Sequence, residues 1–500
     1  MPAQFRDKQE TAPGFGRRRF FPLLALGLAG FATSGATPAI FDVRSFGATG
    51  NGKTVDTPAV NRAIAAAAGA GGGIVHFPAG VYACHSIRLK SLVSLYLERG
   101  ATVMAAPVGG FDAAEPAAPW AMYQDFGHNH FHNSLIWGEG VRDVAILGPG
   151  LVWGKGLSRG EVTEGGLPSC KTPGAANKTI ALKNCRNVTL RDFSILAGGH
   201  FGILATGVDN LTIDALKIDT NRDGMNIDCC RNVTVSNCVV NSPTDDGICL
   251  KSTFALGEAR ATENVTVSNC YVTGGYQLGS MLDGGLKRRA VAEQATGRIK
   301  LGTESNGGFK NIAIKDCVFE SCRGVALETV DGGALEDVTV SGITMRDIRN
   351  APFFLRLGAR LRAPSGTPVG TLRRVTIRDL TCHGPVNTMP AIVTGIPGYP
   401  IEDIVVRDVY LLQRGGDPKK LAGVIPPEEK NLYPEPMLFK PLPAQGLFAR
   451  HVRNLEISHV EFVAAIPDSR PVIWLADVKG DRFTGVTMSA ATATAIYRLD

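Results

Sequence analysis

Aromatic residues make up only 7% of this 500-residue chain and charged residues only 20%. The formal net charge of +6 is small, and Arg6, Lys8, Arg17, Arg18 and Arg19 against Asp7 and Glu10 place half of it within residues 1 to 36. The remainder is only mildly basic, so no stripe for holding nucleic acid is implied. Hairpin links of the Asn-Gly or Asp-Gly kind are scarce where one strand-like segment gives way to the next, which argues against a sandwich of tight antiparallel pairs. The 11 cysteines are odd in number. Cys238, Cys270 and Cys317 stand at equivalent places in "NCVV", "NCYV" and "DCVF", a pattern that fits stacked, buried thiols filling a core better than disulfides.

An apolar run does occur near the start, but it is too short and too rich in Gly and Ala for a good membrane span. "GRRRFFPLLALGLAGFATSGA" joins an arginine cluster to that run and ends in small residues. It resembles a bacterial twin-arginine export signal; a general secretory signal or a membrane anchor is the alternative. Residues 1–36 are therefore set aside as an export signal, with residues 37–500 as one domain. The expected location is periplasmic or secreted, with no stable membrane association.

What the chain has in quantity is glycine, 59 residues, and a repeat. Segments of one pattern begin at Asn187, Asn210, Asn232, Asn264, Asn311, Asp337, Arg374, Asp403 and Asn454, as in "NVTLRDFSI" and "NLTIDALKI". Short alternating strands with a turn-forming residue at a fixed place predict one coil per repeat, and a coil buries its apolar face only by stacking on neighbours. The fold class is all-β, a parallel β-helix. "DTPAVNRAIAAAAGAGGG" predicts a short helix sealing the N-terminal end, with Thr57 as N-cap and Pro58 at the first helical position. The Pro-rich stretch 415–446 interrupts the rhythm and predicts an ordered excursion, since strands resume at Leu447.

Against this rhythm, Asp223 and the pair Asp245 and Asp246 stand out. Asp223 and Asp245 are 22 residues apart, the local repeat length, so stacking about 4.8 Å apart is expected to gather three carboxylates on one face. Like charges that close raise at least one pKa and destabilise the fold unless function gains. Such a cluster suits glycosidic-bond hydrolysis, which needs a protonated acid for the leaving oxygen and an ionised base for water. A ladder of Asp residues capping backbone amides is the structural alternative.

With these residues in view the chain resembles the family 28 glycoside hydrolases, the polygalacturonase group of right-handed parallel β-helices acting on pectin. The resemblance runs from "FDVRSFGATGNGKTVDTPAVNRAI" through the "NRDG" of Asn221 to Gly224 and the "DDG" of Asp245 to Gly247 to "LGTESNGGFKNI". It implies Asp245 as general acid, with Asp223 and Asp246 activating water for inversion. A single-coil spacing lies nearer the carboxylate gap of retaining enzymes, about 5 Å, than that of inverting ones. The family's Gly-His-Gly is absent, since "TGR" stands in its place, and Glu328 falls where its substrate-binding lysine is expected. The "RIK" of Arg298 to Lys300 lies a coil too early for that motif, yet Arg298 and Lys300 alternate onto one face and are candidates to hold a uronate, a solvated charge pair being the alternative.

Asn221 and His200 complete the candidate substrate-binding set. His128, His130 and His132 in "HNHFHN" are expected to line the cleft from one extended strand. Neither metal nor cofactor is called for, and the expected partner of a monomeric enzyme is an acidic polysaccharide or oligosaccharide. Strict polygalacturonase specificity, a rhamnogalacturonan or substituted-pectin hydrolase, a β-helical lyase and a non-catalytic glycan-binding solenoid remain open.

Overall fold

A computed structural model describes residues 39–158, 171–290, 295–416, 421, 423–488 and 495–499. The export-signal expectation, residues 1–36, lies outside the described residues. The described residues wind as a solenoid whose named strands all pair in parallel, one coil upon the next. The repeats found in the sequence are its rungs. Val188, Leu211, Val233, Val265, Ile312, Val338, Val375, Ile404 and Leu455 pair in register from coil to coil, and all nine are buried. Each follows a residue in the left-handed backbone region, from Asn187 at φ 55° to Asn454 at φ 57°. Asn and Asp tolerate that conformation better than other non-glycine residues, which is why they recur there.

These turn residues also bind one another along the axis. Asn210 Nδ2 donates to Asn187 Oδ1 at 2.9 Å, Asn232 to Asn210 at 3.0 Å, Asn264 to Asn232 at 3.1 Å and Asn311 to Asn264 at 2.8 Å. The ten cysteines among the described residues are all free and buried, as the core-filling reading expected.

The sealing helix α1 spans Thr57–Gly69 and buries Val60, Ala63, Ile64 and Ala67 against the first coil. Its cap differs from the expected one. Thr57 lies inside the helix and its hydroxyl accepts from His85 N at 2.7 Å. Asp56 holds the cap position without a capping bond, because its carboxylate already accepts from the amides of Thr49 and Gly50 at 2.7 and 3.0 Å.

One of the solenoid's faces carries the site. Its central strands are β1 (Phe201–Thr206), β2 (Asp223–Asp228), β3 (Ile248–Ser252), β4 (Ile299–Ser305), β5 (Val325–Thr329), β6 (Phe353–Leu357), β7 (Ala391–Thr394) and β8 (Leu447–Ile466). Two irregular segments cover its outer side. Residues 111–132 lie over the early strands, where Phe131 packs on Ala181, Phe201 and Leu204. The excursion before β8 lies over the late ones, with Phe439 and Leu442 packed on Phe354, Ile392 and Phe448.

Candidate active site

Three carboxylates meet between these covers. Asp223 opens β2, Asp246 lies two residues before β3, and both are buried. Gly224 N donates to the Asp246 carbonyl at 3.0 Å, and Met225 pairs with Ile248, so Asp223 stacks on Asp246. This corrects the expected stacking of Asp223 on Asp245. The coils pair 22 residues apart at Asp219 and Asn241, but Met225 faces Ile248 beyond the turn, so that turn holds one extra residue. The insertion lets Asp245 stand further out, its side chain 30% exposed, while one oxygen of each carboxylate stays within 4.8 Å of the other two.

The surroundings push these acids apart in pKa. Burial, then the charge of Asp245, raises Asp223 well above the usual carboxylate range, and Arg222 offsets only part of this. Burial would raise Asp246 too, but Arg298, Lys300 and Lys251 outweigh it and hold Asp246 at about 2. Asp245 accepts from Arg222 Nε at 2.9 Å and from the Asp246 amide at 2.9 Å.

Arg298 and Lys300 belong to this site. β4 stacks directly on β3, with Ile299 beside Ile248 and Lys300 beside Cys249, which puts the "RIK" stretch on the coil next to the acids. The two are buried, which removes the solvated-pair alternative. Arg298 donates to Asp246 Oδ1 at 2.8 Å and to Glu435 Oε1 at 2.9 Å. Lys300 Nζ lies 3.2 Å from Glu328 and 3.9 Å from Asp246, and it donates to the Tyr433 hydroxyl at 3.2 Å. Glu328 therefore serves as counter-ion to Lys300, and both cations already have carboxylate partners.

The other expected residues are distributed as follows. His200 Nδ1 is 3.0 Å from Arg222 Nη1, which puts it behind the Arg222 and Asp245 pair. Asn221 reaches the acidic turn through its backbone, its carbonyl accepting from the Thr244 hydroxyl. The three histidines do not share a strand, because Phe126–Asn129 forms a 3₁₀ turn. His128 is buried beside Phe201, and burial holds its imidazole down at about 3. His132 instead stacks on Trp137 and pairs with Glu139 at 2.9 Å.

Sequence reasoning missed Arg222, Arg323, Tyr433 and Glu435. Arg222 had a signal, since it stands next to Asp223 within the "NRDG" stretch. The other three are joined only by folding. Arg323 Nη1 donates to Glu435 Oε1 at 2.9 Å, and both Tyr433 and Glu435 arrive on the excursion. A second charged network lies alongside, where Lys251 pairs with Glu304 at 2.5 Å and Arg362 bridges Glu304 and Asp125 at 2.7 and 2.6 Å. Residues 111–132 cover the early strands and the excursion covers the late ones, with the trio between them.

The profile described as a right-handed β-helix region matches residues 167–286, and that described as rhamnogalacturonase A/epimerase, pectate lyase-like, matches residues 40–96. A Vitis vinifera protein named a probable polygalacturonase is 24% identical over 387 residues, 73% of each chain. The Yersinia enterocolitica family 28 exopolygalacturonase superposes with a TM-score of 0.61 at 18% identity, over 91% of this chain and 79% of that one. A hyperthermoactive exopolygalacturonase from Thermotoga maritima does so with a TM-score of 0.59 at 16% identity, over 84% and 91%. The right-handed parallel β-helix and the resemblance to the polygalacturonase-like family 28 glycoside hydrolases are borne out.

Proposed function

We propose that this chain is a glycoside hydrolase that cleaves a uronate-containing, pectin-type glycan by carboxylate acid/base catalysis, working from a chain end. The observation that carries this reading is the trio itself, three carboxylates within 4.8 Å whose surroundings drive two of them in opposite directions. Asp246 is ionised across the physiological range and takes a proton from the attacking water. The proton for the leaving oxygen belongs to the Asp223 and Asp245 pair. At rest it sits on the Asp223 side, where burial and a neighbouring charge favour the neutral form. Asp245, the exposed member, is the one a leaving oxygen can reach, in line with the acid role that the resemblance implies. Water oxygen bonds to the anomeric carbon, the bond to the leaving oxygen breaks, and that oxygen receives the pair's proton.

The two covers that flank the trio support action from a chain end, since they stand in the way of a polymer lying straight across it. The solved relatives named exopolygalacturonases support the same choice. We retain inversion from the resemblance, although the short gap between closest oxygens resembles that of retaining enzymes, about 5 Å. Inversion then requires water and leaving oxygen to use the outer edges of the acids. Export to the periplasm or beyond is proposed from the arginine-led N-terminus, and fractionating cells tests it.

Incubation with homogalacturonan, rhamnogalacturonan and de-esterified pectin, with identification of released sugars, tests the activity. Saturated sugars freed from a chain end by the wild type and not by Asp245→Asn are expected. No release from any of the three would sink the reading, and an unsaturated, ultraviolet-absorbing product would replace it with a lyase. Proton spectra of the first product anomer decide inversion.

A further inference from the structure

The cations on the β5 side of the trio are already matched by the chain's own carboxylates. Arg298 is shared by Asp246 and Glu435, Arg323 holds Glu435, and Lys300 holds Glu328. Three cations face three acids. Of these acids, Glu435 is the one delivered from outside the coils, by the excursion before β8. It takes one oxygen to two guanidinium groups, the bonding a bound sugar carboxylate would make. Its other oxygen, Oε2, is buried without a hydrogen-bond partner among the described residues. A buried charged acceptor left half satisfied costs stability. Glutamate at 435 is therefore poorly explained as a mere strut.

We propose that Glu435 is a specificity-determining residue that reserves the position beside Arg298 and Arg323 for an uncharged sugar ring. This rests on the hydrolase reading of the same site. A uronate seated there would bring its carboxylate against Glu435, where like charges repel and both Arg298 and Arg323 are already engaged by the chain's own carboxylates. An uncharged ring meets no such penalty. Two sources of such a ring exist in pectin-type glycans, a neutral deoxyhexose such as rhamnose and a uronate whose carboxyl is methyl-esterified. The substrate class is thus a glycan that carries an uncharged residue at the cleavage position rather than an unbroken run of free uronates.

The experiment compares kcat/KM of wild type, Glu435→Gln and Glu435→Asp on three probes: hexagalacturonate, its methyl ester and a rhamnogalacturonan backbone oligosaccharide. Wild type is expected to favour one of the two uncharged-ring probes over hexagalacturonate, and which one identifies the source. Glu435→Gln is expected to raise kcat/KM for hexagalacturonate on the order of tenfold, through KM, without a matching rise for the favoured probe. Glu435→Asp, which keeps the charge, should keep the wild-type preference, and it stands in if the Gln variant melts early. A preference for hexagalacturonate in wild type, or an unchanged ratio in a folded Glu435→Gln, overturns the proposal while leaving the hydrolase reading standing. No turnover of any probe by wild type overturns both.

Discussion

Asp223 and Asp246 sit on adjacent coils with similar burial, yet the cations around them differ, and that difference sets their chemistry. Asp246 has a folded pKa of about 2, so its contribution to stability is present above the unfolded carboxylate range and is lost as pH falls through about 2. Asp223 has the opposite sign. Its raised pKa stabilises below the unfolded range, and that benefit is lost as pH rises through the folded value. Asp223→Asn should therefore raise the melting temperature at pH 8 more than at pH 4, while lowering kcat by roughly 10²-fold or more. Calorimetry and initial rates on the same preparation check both. Asp246→Asn should lose kcat by a similar factor and, by leaving Arg298 and Lys300 short of a counter-ion, should lower the melting temperature. The rate in wild type should fall on the alkaline side, as Asp223 loses its proton, and show no acidic fall until the pH approaches about 2, where Asp246 is protonated.

His128 tests burial independently of catalysis. Its imidazole stays neutral down to about 3, so as pH falls below about 6.5 the unfolded chain takes up a proton that the folded one does not. Stability should decline over that interval, and His128→Asn should flatten that part of a melting-temperature profile. Unchanged slopes would show that other groups govern acid sensitivity.

At the scale of an element, the turn ladder is the part of the fold easiest to perturb cleanly. Asn232 holds φ 56° while donating to Asn210 and accepting from Asn264. Asn232→Ala loses both bonds and leaves a side chain with little tolerance for that backbone, a cost of about 1–2 kcal/mol. Asn232→Gly should cost less, since glycine accepts the conformation. Denaturant midpoints of the two variants check the order. The excursion is a different kind of element, since no repeat holds it. Arg356 and Arg450 donate to the carbonyls of Glu428 and Pro426 at 2.7 Å each, and Glu428 pairs with His451 at 3.1 Å. Burial lowers the His451 pKa, but Glu428 and Asp477 outweigh it and the net shift is upward. That pairing therefore adds stability below the unfolded histidine range and loses it as pH rises through the folded value.

For the whole molecule the proposed action from a chain end predicts the product pattern. Digestion of a long substrate should release one small product from the first minutes while the viscosity of the remainder falls slowly, and chromatography against time checks this. Early appearance of a ladder of intermediate lengths would show that a chain can lie across the site.

The sequence by itself determined the solenoid, because each rung needs the same apolar spacing and the same left-handed turn, and those requirements repeat visibly at Asn187, Asn210 and Asn232. It also marked the three acids, since carboxylates are out of place in an apolar repeat. It did not determine that Asp223 stacks on Asp246, which hangs on one inserted residue in a turn, nor that Arg298 and Lys300 lie against the trio. Only the tertiary structure decided what Glu435 and Tyr433 do. They approach β4 from more than a hundred residues away, on a segment with no repeat to fix its path, and local spacing carries no record of which distant charge will neutralise which.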